Sequence, residues 1–229
     1  MPPVLPGGNC FEVRPQDGQE PTRTVVLIGD SHSYQWSTAL VPMAVERGWH
    51  LIMPNHPRCR VTQANPWSDE NCLTYSRGVV DWILQTRPDQ VVTVGSRTQA
   101  VGPEIEVETY ADTIRPVVEA DIPVVNIRDN PRWAFKMPDC VQRWGVAAPQ
   151  CTAPRHEKLA DEWPRESLAE LPNMAYMDFT EHLCPGGPDA PCPGVLGNVY
   201  VYMDDNHISR TYVLTMREQF EEQWDAVVS

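Results

Sequence analysis

The chain has 229 residues, a length that suits one α/β domain with a core of ordinary size. Its formal net charge of -13 at pH 7 argues against nucleic acid, which needs a basic stripe, and against electrostatic docking on an anionic membrane. The 23 prolines fall mostly between periodic segments, which implies a compact core joined by long, stiff loops.

The opening up to Arg23, with its Pro, Gly and Gln, has no apolar period and predicts a linker or N-terminal extension over residues 1–23. Met1-Pro2-Pro3 lacks the basic and apolar regions of a signal peptide, so residues 24–229 are expected to be a domain excised from a larger protein. Thr24-Val25-Val26-Leu27-Ile28 is uncharged and β-branched, the pattern of a strand buried on both faces. Gly29-Asp30-Ser31-His32 follows, and Ser33-Tyr34-Gln35-Trp36 opens a helical pattern carried by Trp36, Leu40, Met43 and Ala44. Strand, tight turn and helix present a serine hydroxyl at the carboxyl edge of a sheet, where open α/β sheets place their ligands. Pro42 is expected to bend or shorten that helix, and Gly48 to close it with a left-handed cap.

Trp49-His50-Leu51-Ile52-Met53 predicts the second strand, followed by a loop over residues 54–68. A helix begins near Asp69, with Tyr75, Val79, Trp82 and Ile83 on one face and Asp69 and Glu70 suited to its first turn. Gln90-Val91-Val92-Thr93-Val94 is the third strand, ending at Gly95-Ser96-Arg97, and a helix is predicted over residues 105–120. The fourth strand is predicted over residues 122–127, its proline near the start. The long irregular stretch to Pro154 is more often functional than idle, and its Trp133 and Trp144 are candidates to stack on a sugar. A helix over residues 156–168, a fifth strand from Met174 to Met177 and a Pro/Gly/Cys-rich loop over residues 184–197 come next. A closing helix starts from an N-cap at Ser209, with Tyr212, Met216, Phe220 and Trp224 on one face. Strands alternating with helices predict parallel pairing and a three-layer α/β/α sandwich.

Six of the seven cysteines form sequential pairs, Cys59-Cys72, Cys140-Cys151 and Cys184-Cys192, in polar or Pro-rich surroundings. Local pairs that staple loops are the product of an oxidising compartment. Zinc is the competing reading, but no C-x-x-C occurs and no histidines flank the cysteines at finger-like spacing, so no metal site is expected. Cys10 is left over, free or paired outside the chain.

A serine nucleophile needs a base within hydrogen-bond reach and a group to orient that base. His207 is the candidate base, and Asp204, three residues earlier, can reach its Nδ1 and leave Nε2 facing Ser31. Asp205 is an equal alternative for the carboxylate, and either aspartate can instead cap the last helix. His32 adjoins the nucleophile but points down its helix, as a wall or acceptor contact. His50, His56, His156 and His182 read as structural or solvated.

On these residues the chain resembles an SGNH (GDSL-like) hydrolase domain. More narrowly, it resembles the extracytoplasmic SGNH domain of bacterial acyltransferase-3 membrane proteins. The marks are Gly29-Asp30-Ser31-His32 with Gln35-Trp36, Arg47-Gly48-Trp49, Pro57-Arg58-Cys59, Arg128-Asp129-Asn130-Pro131-Arg132 and Asp204-Asp205-Asn206-His207-Ile208-Ser209. The resemblance implies a Ser31-His207-Asp204 triad on a flavodoxin-like sheet of five parallel strands, with no cofactor. It implies an O-acyltransferase that moves an acyl group, acetyl by expectation, to a cell-envelope glycan through an acyl-serine. The donor would come from an upstream membrane acyltransferase domain. The domain would lie outside the cytoplasm, on the periplasmic or cell-wall side, tethered to the membrane through a missing N-terminal part. A carbohydrate O-acetylesterase and a catalytically silent glycan-binding module are the alternatives.

The sequence departs from the wider family where the oxyanion hole should be. The family's glycine after strand two is replaced by Met53-Pro54-Asn55-His56, and its asparagine after strand three by Gly95-Ser96-Arg97-Thr98. The candidate donors are the backbone N–H of Ser31 or His32, a backbone N–H at Gly95 or Ser96, and the Arg97 side chain. A missing donor costs on the order of a hundredfold in rate, so a weak hydrolase is the expectation.

Overall fold

A computed structural model describes residues 9–16, 18–63 and 68–228; residues 1–8 of the expected linker and 64–67 of the loop before the Asp69 helix lie outside it. The strands of the central sheet are β1 (Asn9–Val13), β2 (Thr24–Leu27), β3 (His50–Asn55), β4 (Gln90–Val94), β5 (Val124–Ile127) and β6 (Met174–Met177), in the order β1-β3-β2-β4-β5-β6. The pairs from β3 through β6 are all parallel, as the alternation of strands and helices predicts. β1 is an addition to the expected five strands, drawn from the segment read as a linker. It pairs antiparallel with β3, with Asn9 opposite Asn55 and Val13 opposite Leu51. Its residues are mostly exposed, so it carries none of the apolar run that marked the inner strands.

The inner strands are legible because both their faces are covered. Val25 and Leu27 join one core, Val26 and Ile28 the other, in the period of two that a strand imposes. The first core packs α2 (Ser37–Arg47) and α8 (Arg217–Val227) on the sheet through Trp36, Leu40, Met43, Phe220 and Trp224. The second packs α3 (Glu70–Thr86) and α4 (Tyr110–Glu119) through Tyr75, Val79, Ile83, Ile114 and Val117. Asp69 caps α3 by accepting from the Cys72 N–H at 2.8 Å.

Four elements differ from expectation, each for a local reason. Pro42 does not end α2, because Ala39, Leu40, Met43 and Ala44 are buried on its other side and hold the turn together. Ile105 and Glu106 pair with Ser96 and Arg97 as a short ladder rather than opening a helix, and α4 begins only at Tyr110. Residues 156–168 form two 3-10 turns, Arg155–Glu157 and Glu166–Leu168, separated by Pro164, which cannot donate. The closing helix, which follows the short helices α5 (Met137–Trp144) and α6 (Thr180–Leu183), divides at Met216 into α7 (Arg210–Thr215) and α8, with Ser209 capping α7 by accepting from the Tyr212 N–H. Trp133 is in the first core and only 1% exposed, so it cannot stack on a sugar; Trp144 is 54% exposed.

Disulfides join Cys59 to Cys72, Cys140 to Cys151 and Cys184 to Cys192, and Cys10 is a free, exposed thiol. Three staples of this kind fit an oxidising compartment. The first ties the loop after β3 to α3. Replacing Cys59 and Cys72 together with serine is expected to lower the unfolding free energy by roughly 3 kcal/mol, the loop-closure value for about 15 residues. Urea denaturation checks this; an unchanged midpoint would mean that the loop is held by its other contacts alone.

Candidate active site

β2 runs out at Gly29, whose φ of 118° is a backbone conformation that L side chains rarely adopt. A Cβ there would collide with the Ser33 side chain, so glycine is required twice over. Asp30 caps the short helix α1 (Ser31–Tyr34), its Oδ1 accepting from His32 N–H at 2.9 Å and Ser33 N–H at 3.4 Å. Three other elements pin this turn. Asn55, at the end of β3, donates through Nδ2 to the carbonyls of Gly29 and Asp30 at 2.9 and 2.8 Å. Tyr75 on α3 accepts from Gly29 N–H at 2.9 Å and donates to the Pro54 carbonyl at 2.7 Å. Burial pushes its phenol pKa up, which keeps the donating hydrogen in place. Ser33 Oγ accepts from the Val94 N–H at the end of β4.

The histidine comes from the loop before α7. Asp204 Oδ1 accepts from the N–H groups of Asn206 and His207, at 2.8 and 2.7 Å, and so forms the turn itself. Its Oδ2 lies 2.7 Å from His207 Nδ1, and His207 Nε2 lies 2.7 Å from Ser31 Oγ. A carboxylate can only accept, so the hydrogen sits on Nδ1 and the lone pair of Nε2 faces the serine. Asp205 takes no part in this chain; its carboxylate accepts from Asn206 Nδ2 at 3.0 Å. Burial alone would raise the Asp204 pKa, but the two backbone N–H groups and the imidazole outweigh it and hold the carboxyl below its ordinary value.

This loop lies on a bed made by the irregular stretch after β5. Gln35 joins the two, donating to Asn130 Oδ1 at 2.7 Å and accepting from the Ile208 N–H at 2.8 Å. Asn130 donates to the Asn206 carbonyl at 2.6 Å, Trp133 N–H to the Asp205 carbonyl at 2.7 Å, and Met137 N–H to the Asp204 carbonyl at 3.1 Å. Gln35 and Asn130 stand within the motifs that marked the resemblance, and these bonds give them a physical role.

Beneath the serine is a buried charge network centred on Arg60, a residue the sequence reading passed over. Its Nε meets Asp30 at 2.7 Å, its Nη2 meets Asp129 at 2.8 Å, and its Nη1 donates to the Ser96 carbonyl at 2.7 Å. One guanidinium thus ties the ends of β2, β4 and β5 together. Asp129 also accepts from the N–H and hydroxyl of Thr98 and from His32 Nδ1 at 2.7 Å. His32, 1% exposed, points away from Ser31, with its Nε2 2.9 Å from Asn206 Oδ1 and 3.0 Å from Arg132 Nη2. It lines the cleft as a wall.

Burial would raise both aspartates, but Arg60 and His32 outweigh it, holding Asp30 below and Asp129 well below the usual carboxylate range. A carboxyl with a lowered folded pKa stabilises the fold fully above its unfolded pKa, about 3.9 for aspartate, and loses that contribution as pH falls towards the folded value. The urea midpoint is therefore expected to fall steeply below about pH 4. A midpoint that stays level through that range would show that the two aspartates titrate in the folded protein as they do in the unfolded chain.

Of the proposed oxyanion donors, the structure withdraws several. The His32 N–H is spent on Asp30, and the Gly95 N–H on the Ile127 carbonyl at 3.1 Å. Gly95 is there for close packing, since a Cβ would sit 2.7 Å from Asn126 Oδ1. Ser96 is 0% exposed and turned below the site, where its hydroxyl bonds Glu104 and accepts from the Asp129 N–H and its carbonyl accepts from Arg60. Neither Gly95 nor Ser96 lines the cleft; Arg97 does. The Ser31 amide, first in its helix, has no intrahelical carbonyl to meet. Among the described residues, no group of three His, Cys, Asp or Glu side chains is placed to hold a metal ion.

The site opens into a cleft of roughly 550 Å3 walled by Asp30, Ser31, His32, Arg97, Arg132 and His207, among others. A family model described as "SGNH domain (fused to AT3 domains)" matches residues 5–222. Among solved structures, the chain is similar to the periplasmic domain of a lipopolysaccharide acetyltransferase from Salmonella ser. Paratyphi A. The TM-score is 0.58 and the identity 13%, over 89% of this chain and 85% of that one, a likeness of fold. No curated protein matches by sequence. Among the described residues, no helix is long and apolar enough to cross a membrane.

Proposed function

Because the chain belongs to the family of SGNH domains fused to AT3 domains, we propose that it is a serine-dependent O-acyltransferase domain acting on a cell-envelope glycan. The observation that carries this reading is the unbroken hydrogen-bond chain from Ser31 through His207 to Asp204 at the mouth of an open cleft. His207 Nε2 takes the hydroxyl proton as Ser31 Oγ attacks the acyl carbonyl, and the Asp204 carboxylate stabilises the imidazolium. The tetrahedral oxyanion is held by the Ser31 amide and by Arg97, the cleft-lining member of the remaining candidates. Collapse expels the donor's leaving oxygen, which takes the proton from His207, and leaves an acyl-serine. A sugar hydroxyl then gives its proton to His207 and attacks the acyl-serine; collapse breaks the Ser31 Oγ–acyl bond, Oγ takes the proton back from His207, and the acylated sugar departs. Water in place of the sugar makes the same machinery an esterase.

The reading is supported on three sides. The family's fusion to AT3 domains is consistent with an acyl donor delivered by an attached acyltransferase domain. The solved neighbour is described as an acetyltransferase domain of the periplasm, which supports acetyl as the first acyl group to test and an extracytoplasmic setting. The three disulfides agree with that setting. Incubation with para-nitrophenyl acetate, with and without a glycan acceptor, tests the proposal. Intact-mass detection of an acetylated protein, with acetyl passing to sugar in preference to water, is the expected result. Acetyl passing only to water would make the domain an esterase, and no acetyl-protein and no turnover would leave a silent glycan-binding module.

A further inference from the structure

The cleft carries more arginines than acyl transfer from a neutral donor to a neutral sugar would use. The chain as a whole is acidic, at -13, yet Arg58, Arg60, Arg97 and Arg132 line this one opening against Asp30, Asp204 and Asp205. Arg60 is taken up within the buried network, where Asp30 and Asp129 share it, and Asp204 is held by His207. Among the described residues, Arg58 and Arg132 form no ion pair, and Asp205, the remaining carboxylate of the lining, accepts from Asn206.

Arg132 is the more telling of the two. Its Nη2 lies against His32, but its Nε is buried and has no hydrogen-bond partner. A guanidinium stays charged under all ordinary conditions, so that donor cannot be relieved by losing a proton. Buried donors are normally satisfied, so an unpartnered one on a cleft-lining guanidinium leaves a hydrogen bond to be made. Arg58 is exposed at the rim, held with φ of 64° in a conformation that side chains seldom adopt. The next residue, Cys59, is bonded to Cys72, so the loop that presents Arg58 is stapled. Burial lowers the Arg97 pKa, and its positive neighbours Arg60 and Arg132 act in the same direction, against the opposing pull of Asp30 and Asp129.

A carboxylate or a phosphate meets a guanidinium through paired charge-assisted bonds, whereas an acetyl group or a neutral sugar offers no charge in return. We propose that Arg132 and Arg58 form a subsite in the cleft for an anionic group of the substrate, a carboxylate or a phosphate. The position of this subsite on the reaction path rests on Ser31 being the nucleophile; its existence does not. The anion can belong to the acyl group, as the free end of a dicarboxylic half-ester, or to an acidic acceptor sugar.

Calorimetric titration of succinate and inorganic phosphate tests the subsite without requiring turnover. Wild type and Ser31→Ala are expected to bind at least one of them saturably, and Arg132→Gln or Arg58→Gln to weaken that binding roughly tenfold or more. Absence of saturable binding in wild type, or equal binding in both arginine variants, overturns the proposal. Should Arg132→Gln fail to fold, Arg58→Gln at the exposed rim decides alone. The source of the anion is read from two ratios of kcat/KM. Preference for para-nitrophenyl hemisuccinate over the acetate assigns it to the acyl group, and preference for a methyl glucuronoside over a methyl glucoside assigns it to the acceptor. Either ratio should collapse towards one in the arginine variants, and a protein that turns over every ester without such preference refutes the subsite. If Ser31 is inert, the titrations alone still decide.

Discussion

Ser31→Ala is expected to cut ester turnover by roughly ten thousandfold or more while leaving the fold intact. The size follows from what the hydroxyl does. Ser31 Oγ meets His207 Nε2, and the bonds that shape its turn run instead through Asp30, Asn55, Tyr75 and Ser33. Alanine therefore removes the attacking atom and little else. Asp204→Asn should cost a similar factor for a different reason. An amide donating to Nδ1 would move the imidazole hydrogen to Nε2, where it faces Ser31 with no lone pair to accept a proton. Turnover of para-nitrophenyl acetate and covalent labelling by a fluorophosphonate read both variants. If wild type neither labels nor exceeds Ser31→Ala, the serine is not a nucleophile.

Arg60→Met is expected to destabilise the domain by roughly 3–5 kcal/mol, the cost of stranding a buried charge. A buried ion pair is poor evidence of net stabilisation in itself, because desolvation takes back much of the attraction. Here the larger effect is what removal leaves behind. Asp30 and Asp129 would remain buried, both negative, with their shared cation gone. Asp30 also caps the helix of the serine, and Asp129 orients His32, so turnover should fall along with stability. Guanidinium chloride unfolding monitored by tryptophan fluorescence measures the first effect. A loss below about 1 kcal/mol would mean that water or another cation reaches the two carboxylates.

What shows in the sequence is what local or repeated contacts determine. β2, β4, β5 and β6 show as charge-free or β-branched runs because both faces of the sheet are covered. Gly29, Ser31, Asp204 and His207 stand out because each lies in a short motif, whereas Ser31 and His207, 176 positions apart, meet only through the fold topology. The supporting shell was not legible, for the opposite reason. Arg60 and Asp129 are 69 residues apart, and Asn55 acts on a turn 25 residues earlier. No local pattern marks either. β1 was hidden because an exposed edge strand needs no apolar period. Residues 105–106 read as helix because Ile105 follows the apolar spacing of α4, whereas the pairing of Arg97 with Ile105 across the short ladder takes them first.

β1 has one more consequence. Because it runs against β3, its first residue, Asn9, sits opposite Asn55, whose side chain grips the turn before Ser31. The start of β1 therefore lies at the same end of the sheet as the Ser31 cleft, with only β3 between it and β2. A first strand parallel to β3 would have begun at the other end of the sheet. The antiparallel pairing thus makes the edge beside the cleft out of the earliest described residues of the chain.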